Sequence, residues 1–383
     1  MRTEPSAATT TAAHGRFLFL DGLRGIAALA VAWFHFYRWT PLYPTLHAVL
    51  PAPVGVALGQ GYLGVDIFFV LSGFVISYSI RNATITPGFV GRFALRRSLR
   101  LDPPYWVTIA LALALAALAQ LFLPGAPPLP SWRVVVAHLF YLQGILGYHN
   151  IVSVFWTLCL EVQFYLLLVL LVGVAQRLVR GAKSGASRGW RYALLFAPLY
   201  VASLASLPAG FWTDRWFIGF WYAFFFGAVT YWTLAGRLQL RWWLLAAAGV
   251  LGLCLTFPDP QAPAALVTAT LILIAGRTGK LYRWLSARPL QFLGRISYSL
   301  YLLHFVGGIV ARLGTRMLGS SPATVLSLFA AATAVSIMSA EVMHRLVEVP
   351  SMRLARSDRF PELLAGIRAR FARGEDAVSS LAE

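Results

Sequence analysis

Asp21, Arg24 and His35 lie well inside one apolar stretch, LDGLRGIAALAVAWFHFYRW at 20–39, which closes on Arg38. Asp21 and Arg24 are three residues apart, so on a helix they are neighbours able to neutralise each other. His35 follows Arg24 by three turns plus roughly 20°, so the two share one face, about 16 Å apart along the axis. Ionisable groups inside a membrane face a bundle interior or a water-filled cavity, which makes this stripe a candidate site. A structural Asp–Arg pair with an interfacial histidine would use the same residues. Gly22 and Gly25 permit close packing here, or a local break.

Five further stretches carry polar groups inside apolar surroundings. GYLGVDIFFVLSGFVISY (61–78) places Asp66 and Ser72-Gly73 within an aromatic span. FALRRSLRLDPPYW (93–106) sets Arg96, Arg97 and Arg100 beside a span end. Three arginines there are ordinary cytoplasmic-side residues, or they grip the phosphates of a nucleotide-bearing donor, which suits the guanidinium fork. FWTLCLEVQFYLLL (155–168) holds Glu161 and Gln163 inside a span; a buried carboxylate needs a partner, and Arg24 and His35 are the candidates. LGRISYSLYLLH (293–304) adds Ser297, Tyr298, Tyr301 and His304, where the tyrosines also fit an aromatic belt. EVMHRLVEVP (341–350) closes the last span with Glu341, His344 and Glu348.

The elements that must position these groups are membrane helices. The chain has 383 residues, 58% hydrophobic and 12% charged, with a mean hydropathy of +0.69. A soluble protein carries about 25% charged residues, so the composition points to a polytopic all-α membrane protein. The net charge of +18 would suggest nucleic acid in a soluble chain. Here the basic residues sit in short clusters between apolar runs, which points to topology and no nucleic-acid partner. Cys159 and Cys254 both lie in apolar segments, and no Cys/His cluster has metal-ligand spacing, so neither a disulfide framework nor a metal site is expected. Residues 1–15 lack a cleavable signal pattern, so the first apolar segment is expected to remain as an anchor.

Ten segments approach the roughly 20 apolar residues that a crossing needs: about 17–37, 58–80, 104–124, 154–176, 192–209, 216–235, 242–257, 262–276, 290–311 and 322–344. The stretch at 131–147 is amphipathic and is expected at the surface; if it crossed, the count would be eleven. With ten spans and both termini inside, 26 of the 32 Lys and Arg residues fall on the cytoplasmic side and 5 outside. That asymmetry supports the ten-span layout. Its parts are a polar cytoplasmic tail (1–16), a transmembrane domain (17–350) and a basic cytoplasmic tail (351–383). Within that last tail, RFPELLAGIRARFARGED reads as a surface helix on anionic lipid or as a solvated tail.

Taken together, these stretches resemble the membrane acyltransferase 3 family, over roughly residues 17–350. The family's opening Leu-Asp-Gly-x-Arg-Gly with a later histidine is matched by Asp21, Arg24 and His35. Its Ser-Gly motif is matched by Phe68, Phe69, Ser72, Gly73 and Phe74. Its basic motif before Pro-x-Tyr is matched by Arg96, Arg97, Arg100, Pro103 and Tyr105. Trp156, Glu161, Phe164 and Tyr165 match a fourth motif; Gly294, Ser297, Tyr298, Tyr301 and His304 match a fifth. Thr157 and Cys159 replace the usual serines, Asp102 replaces an apolar residue, and Val349 replaces the arginine of a closing Glu-Arg-Pro. No hydrolase-like stretch follows residue 350, as one does in longer members.

The resemblance implies an integral-membrane O-acyltransferase in the cell (inner) membrane. It would move an acyl group, most often acetyl from acetyl-CoA, to a hydroxyl of a carbohydrate, glycolipid, polysaccharide or secondary metabolite. No tightly bound cofactor is implied; acyl-CoA is a substrate. His35, Arg24, Asp21 and Glu161 become the catalytic candidates, and Arg96, Arg97, Arg100 and Ser72 the donor-binding ones. A histidine titrates near neutrality and can take the proton of a hydroxyl, or carry the acyl group itself. The competing expectation is a carrier of lipid-linked sugar whose passage the same polar residues line.

Overall fold

In lipid every backbone N–H and C=O must be bonded within its own segment, so apolar stretches of this length fold as helices. A computed structural model of the protein describes residues 16–123, 125–179, 185–206, 215–257 and 260–356; the expected tails at 1–15 and 357–383, with the surface helix read there, lie outside these residues. The described residues form α1 (Leu18–Arg38), α2 (Tyr43–Val49), α3 (Ala52–Gly59), α4 (Gly64–Ser79), α5 (Pro87–Phe122), α6 (Trp132–Leu139) and α7 (Phe155–Val179). There follow α8 (Gly185–Ser206), α9 (Trp221–Leu234), α10 (Leu240–Thr256), α11 (Gln261–Arg277), α12 (Arg288–Leu318), α13 (Pro322–Met343) and α14 (Val349–Arg356). No strand occurs among them.

Among the described residues, seven stretches are long and apolar enough to cross a membrane: Leu18–Arg38, Ala52–Ser79, Pro87–Phe122, Phe155–Leu178, Phe217–Leu234, Arg288–Leu318 and Pro322–Ala355. Three shorter apolar helices, Leu195–Ser206, Leu240–Thr256 and Gln261–Arg277, fall where the sequence placed three more spans. The protein is thus an all-helical, multi-pass membrane bundle.

Several boundaries differ from the hydropathic ones. Helix α5 starts at Pro87 rather than near residue 104, so Arg96, Arg97 and Arg100 lie on the helix and not in a loop before it. Its start is set by Thr86, whose side chain accepts from the Phe89 N–H, with Pro87 in the first turn. Arginine is a good helix former, so the helix runs through a basic segment that a hydropathy criterion rejects. Pro103 and Pro104 follow within α5 and remove two backbone donors just beyond Arg100. Of the amphipathic segment 131–147, only Trp132–Leu139 is helical. Eight residues span about 12 Å, far short of a bilayer.

Helix α1 packs between α4 and α12. Without a hydrophobic drive between helices in lipid, close backbone approach has to come from small residues. A Cβ added to Gly25 would lie 2.7 Å from the Gly294 backbone nitrogen, and one on Gly294 would lie 2.3 Å from the Asp21 carbonyl oxygen. Those two glycines therefore set how near α12 comes to α1, and the helix stays unbroken. Gly73 and Gly227 do the same for α4 against α9, where an added Cβ would meet the Phe224 or Val70 carbonyl at 1.8 or 1.9 Å. An aromatic core of Phe69, Phe164, Trp221 and Phe224 fills the space between α4, α7 and α9.

Candidate active site

Four helices converge on a small, partly open cavity. α1 contributes Arg24, α4 contributes Phe68 and Ser72, α7 contributes Thr157 and Glu161, and α12 contributes Ser297, Tyr298 and Tyr301. Four stretches separated along the chain thus meet in one place, because α1 is packed against both α4 and α12 while α4 touches α7.

Ser72 donates a 2.7 Å hydrogen bond to Oε1 of Glu161. Arg24 faces the same cavity and makes no hydrogen bond or ion pair among the described residues. Its expected pairing with Asp21 does not form. Asp21 pairs with Arg16 instead, at the exposed end of α1. On a helix Arg24 is close enough to reach Asp21, but Arg16, in the segment leading into the helix, lies nearer the solvent-facing carboxylate. Arg24 is left free for the cavity.

The three arginines of α5 separate. Arg96 is exposed. Arg97 lies over the Tyr165 ring at 5.0 Å from its centroid, a cation–π contact. Arg97 and Arg100 are within electrostatic range of Arg24 and Glu161, and Arg100 also of Glu348, so three guanidinium groups share two carboxylates. The remaining positive charge suits an anion. Asp102, the departure from the family pattern, is turned to other partners: it accepts from Ser98 and, at 3.0 Å, from Tyr141.

His35 is not in this cavity. It sits three turns further along α1, where its Nδ1–H donates to the Val31 carbonyl at 2.8 Å. Its ring lies 4.8 Å, centroid to centroid, from that of His304 on α12. Tyr301 stands between cavity and histidines, 5.6 Å from the Phe68 ring and 6.1 Å from His304. Thr157 donates to the Val154 carbonyl at 2.9 Å, so Tyr301 Oη donates the 2.8 Å bond to Thr157 Oγ1. The threonine that replaces a family serine therefore fixes the partition. Gln163 belongs to packing: it clamps the chain entering α9 through the Arg215 carbonyl and the Phe217 N–H.

Sequence reasoning undervalued α12. Ser297, Tyr301 and His304 sit at i, i+4 and i+7, one face of a helix, and that polar stripe in an apolar span was the available signal. Glu348 was seen only as a span end. It is 3% exposed, in a π-helical turn (His344–Glu348), and accepts from Ser299 at 2.7 Å with His344 at 3.0 Å.

Residues 17–341 match the family described as an acyltransferase domain, acyltransferase 3. The chain belongs to that family. This acyltransferase is 28% identical to acyltransferase MdmB of Streptomyces mycarofaciens, over 88% of this chain and 91% of that one. It is 26% identical to exopolysaccharide production protein ExoZ of Rhizobium meliloti, over 80% of this chain and 94% of that one. A shorter match, 26% identity over 39% of this chain and 23% of the other, is to the peptidoglycan O-acetyltransferase OatA of Listeria monocytogenes. No solved structure matches the chain. The acyltransferase is a multi-pass membrane enzyme that transfers groups other than amino-acyl groups.

Proposed function

We propose that this enzyme transfers an acetyl group from acetyl-CoA to a hydroxyl of a carbohydrate, glycolipid or polysaccharide. It works from ten spans in the inner membrane, with both termini cytoplasmic. The observation that carries this reading is the cavity in which unpaired Arg24 faces the Ser72–Glu161 pair, with Arg97 and Arg100 in electrostatic range. A coenzyme A donor brings phosphates, and guanidinium groups bind phosphate in a fork geometry. The basic asymmetry of the loops supports a cytoplasmic position for these arginines, where acyl-CoA is made. Relatives named for exopolysaccharide production and for peptidoglycan O-acetylation favour a sugar hydroxyl as acceptor.

With Nδ1–H committed to the Val31 carbonyl, the neutral His35 ring has its lone pair at Nε2. In a direct transfer, Nε2 takes the hydroxyl proton, the oxygen bonds to the thioester carbonyl carbon, the C–S bond breaks and the thiolate leaves to be protonated. In a two-step transfer, Nε2 itself takes the acyl group first. Arg24, three turns from His35 along α1, is too far away to touch the same carbonyl; from the cavity it holds the donor.

The test is release of coenzyme A. Detergent-purified protein should slowly release free thiol from acetyl-CoA, and His35→Gln should insert, stay monodisperse and lose that activity by about 10²–10⁴-fold. Deletion of the gene should remove an acetyl mass from surface glycans, restored by the wild-type gene and not by His35→Gln. Near-normal transfer by His35→Gln would sink the assignment. Protein that never releases thiol would favour a carrier instead.

A further inference from the structure

We infer that His304 is a second catalytic base, which takes the proton of the acceptor hydroxyl while the acyl group sits on His35. The inference rests on the reading of His35 given above and selects its two-step route.

Both rings are held in the same way. His35 Nδ1 lies 2.8 Å from the Val31 carbonyl oxygen, and His304 Nδ1 lies 2.8 Å from the Tyr301 carbonyl oxygen. A carbonyl only accepts, so each Nδ1 carries the hydrogen and each neutral ring has its lone pair at Nε2. Neither Nε2 has a hydrogen-bond partner among the described residues. The contrast is His138, a structural histidine with both nitrogens used: Nδ1–H donates to Val134 at 2.7 Å and Nε2 accepts from the Ile151 N–H at 3.0 Å.

Two unsatisfied imidazole nitrogens thus lie on facing helices with ring centroids 4.8 Å apart. His304 as a whole is only 2% exposed. Beside the rings, Gly307 lets α12 come close to α1, where an added Cβ would lie 2.8 Å from the Phe36 ring.

One imidazole cannot do both halves of a two-step transfer. In the first step His35 Nε2 attacks the thioester carbonyl carbon; the C–N bond forms, the C–S bond breaks and the thiolate leaves. The acyl-imidazolium is now occupied at Nε2, and its Nδ1–H is still bonded to Val31. It has no lone pair left to accept a proton. The acceptor O–H must give its proton to another base as its oxygen attacks the acyl carbon, forming C–O and breaking C–N. His304 Nε2 is placed to take that proton, after which it is returned to water and both rings are neutral again. A direct transfer needs a single base and leaves the second ring without a task.

The experiment is a pre-steady-state thiol titration with acetyl-CoA as donor and water as acceptor. His304→Asn keeps an amide donor for the Tyr301 carbonyl and lacks the Nε2 lone pair. It should release about one equivalent of coenzyme A per protein in a burst, then turn over about 10²-fold more slowly than wild type. Intact mass should show one acetyl group on the protein, absent in His35→Gln/His304→Asn. Hydroxylamine, which attacks without a base, should restore turnover. His304→Gln should behave as His304→Asn. Wild-type turnover in both variants, or a fall in rate with no burst and no acetyl-protein, would overturn the inference. Failure of the wild type itself to release coenzyme A would instead count against the reading of His35 and the donor.

Discussion

Ser72 on α4 donates its hydroxyl hydrogen to Glu161 on α7 across 2.7 Å, and this bond ties two of the four walls of the cavity. Glu161→Gln keeps an acceptor for Ser72 and removes the only negative charge facing Arg24, Arg97 and Arg100 from α7. The variant should insert and remain monodisperse while acyl transfer falls at least about tenfold, equivalent to about 1.4 kcal/mol in the barrier. Ser72→Ala loses a hydrogen bond to an ionised group, about 1.5–3 kcal/mol, and should lower both the melting temperature in detergent and the rate. A wild-type rate in Glu161→Gln would remove the carboxylate from the site.

The arginines of α5 should not behave alike. Arg97→Gln and Arg100→Gln should each raise KM for acetyl-CoA by about tenfold or more, the loss of one charge-assisted phosphate contact. Arg96 is exposed, and Arg96→Gln should leave KM within about twofold, since an exposed charge contributes little. Added salt should weaken donor binding by the wild type. Equal effects from all three would mark them as topology signals alone.

Glycine at the α1–α12 crossing is needed for space. Gly25→Ala and Gly294→Ala force a Cβ against the facing backbone, and such overpacking costs about 1–3 kcal/mol. Both should lower the melting temperature, measured by tryptophan fluorescence in detergent. Gly308, on α12, has nothing within 4 Å of an added Cβ, so Gly308→Ala should not. Equal melting of all three would show that the crossing is looser than it is drawn.

Topology is open to labelling. In a protein freed of Cys159 and Cys254, Ser184→Cys should react with an impermeant thiol reagent only from the cytoplasmic face. Pro128→Cys, at an exposed position between α5 and α6, should react only from the other face. Labelling of position 184 from outside would overturn the ten-span layout.

The helices were legible because lipid imposes a single solution on apolar segments, and hydropathy reports those segments directly. Helix ends were less so. Helix α5 continues through Arg96–Arg100 because backbone geometry and a Thr86 cap decide where a helix begins, and neither is a hydropathic quantity. Part of the cavity lining was legible too: Arg24, Ser72 and Glu161 stood out as polar groups that hydrocarbon rejects, and all three line one cavity.

By itself the sequence determined that this is a helical membrane protein, where its apolar segments lie, and which polar residues require an explanation. These depend on composition and local spacing. Only the tertiary structure decided the partners. Asp21 goes to Arg16 and frees Arg24, Glu161 meets Ser72, and His35 lies apart from the cavity against His304. Side chains so far apart in the chain meet only through the way α1, α4, α7 and α12 pack. That packing is set by small residues such as Gly25 and Gly294, whose effect is felt between helices and leaves no period in the sequence of either one.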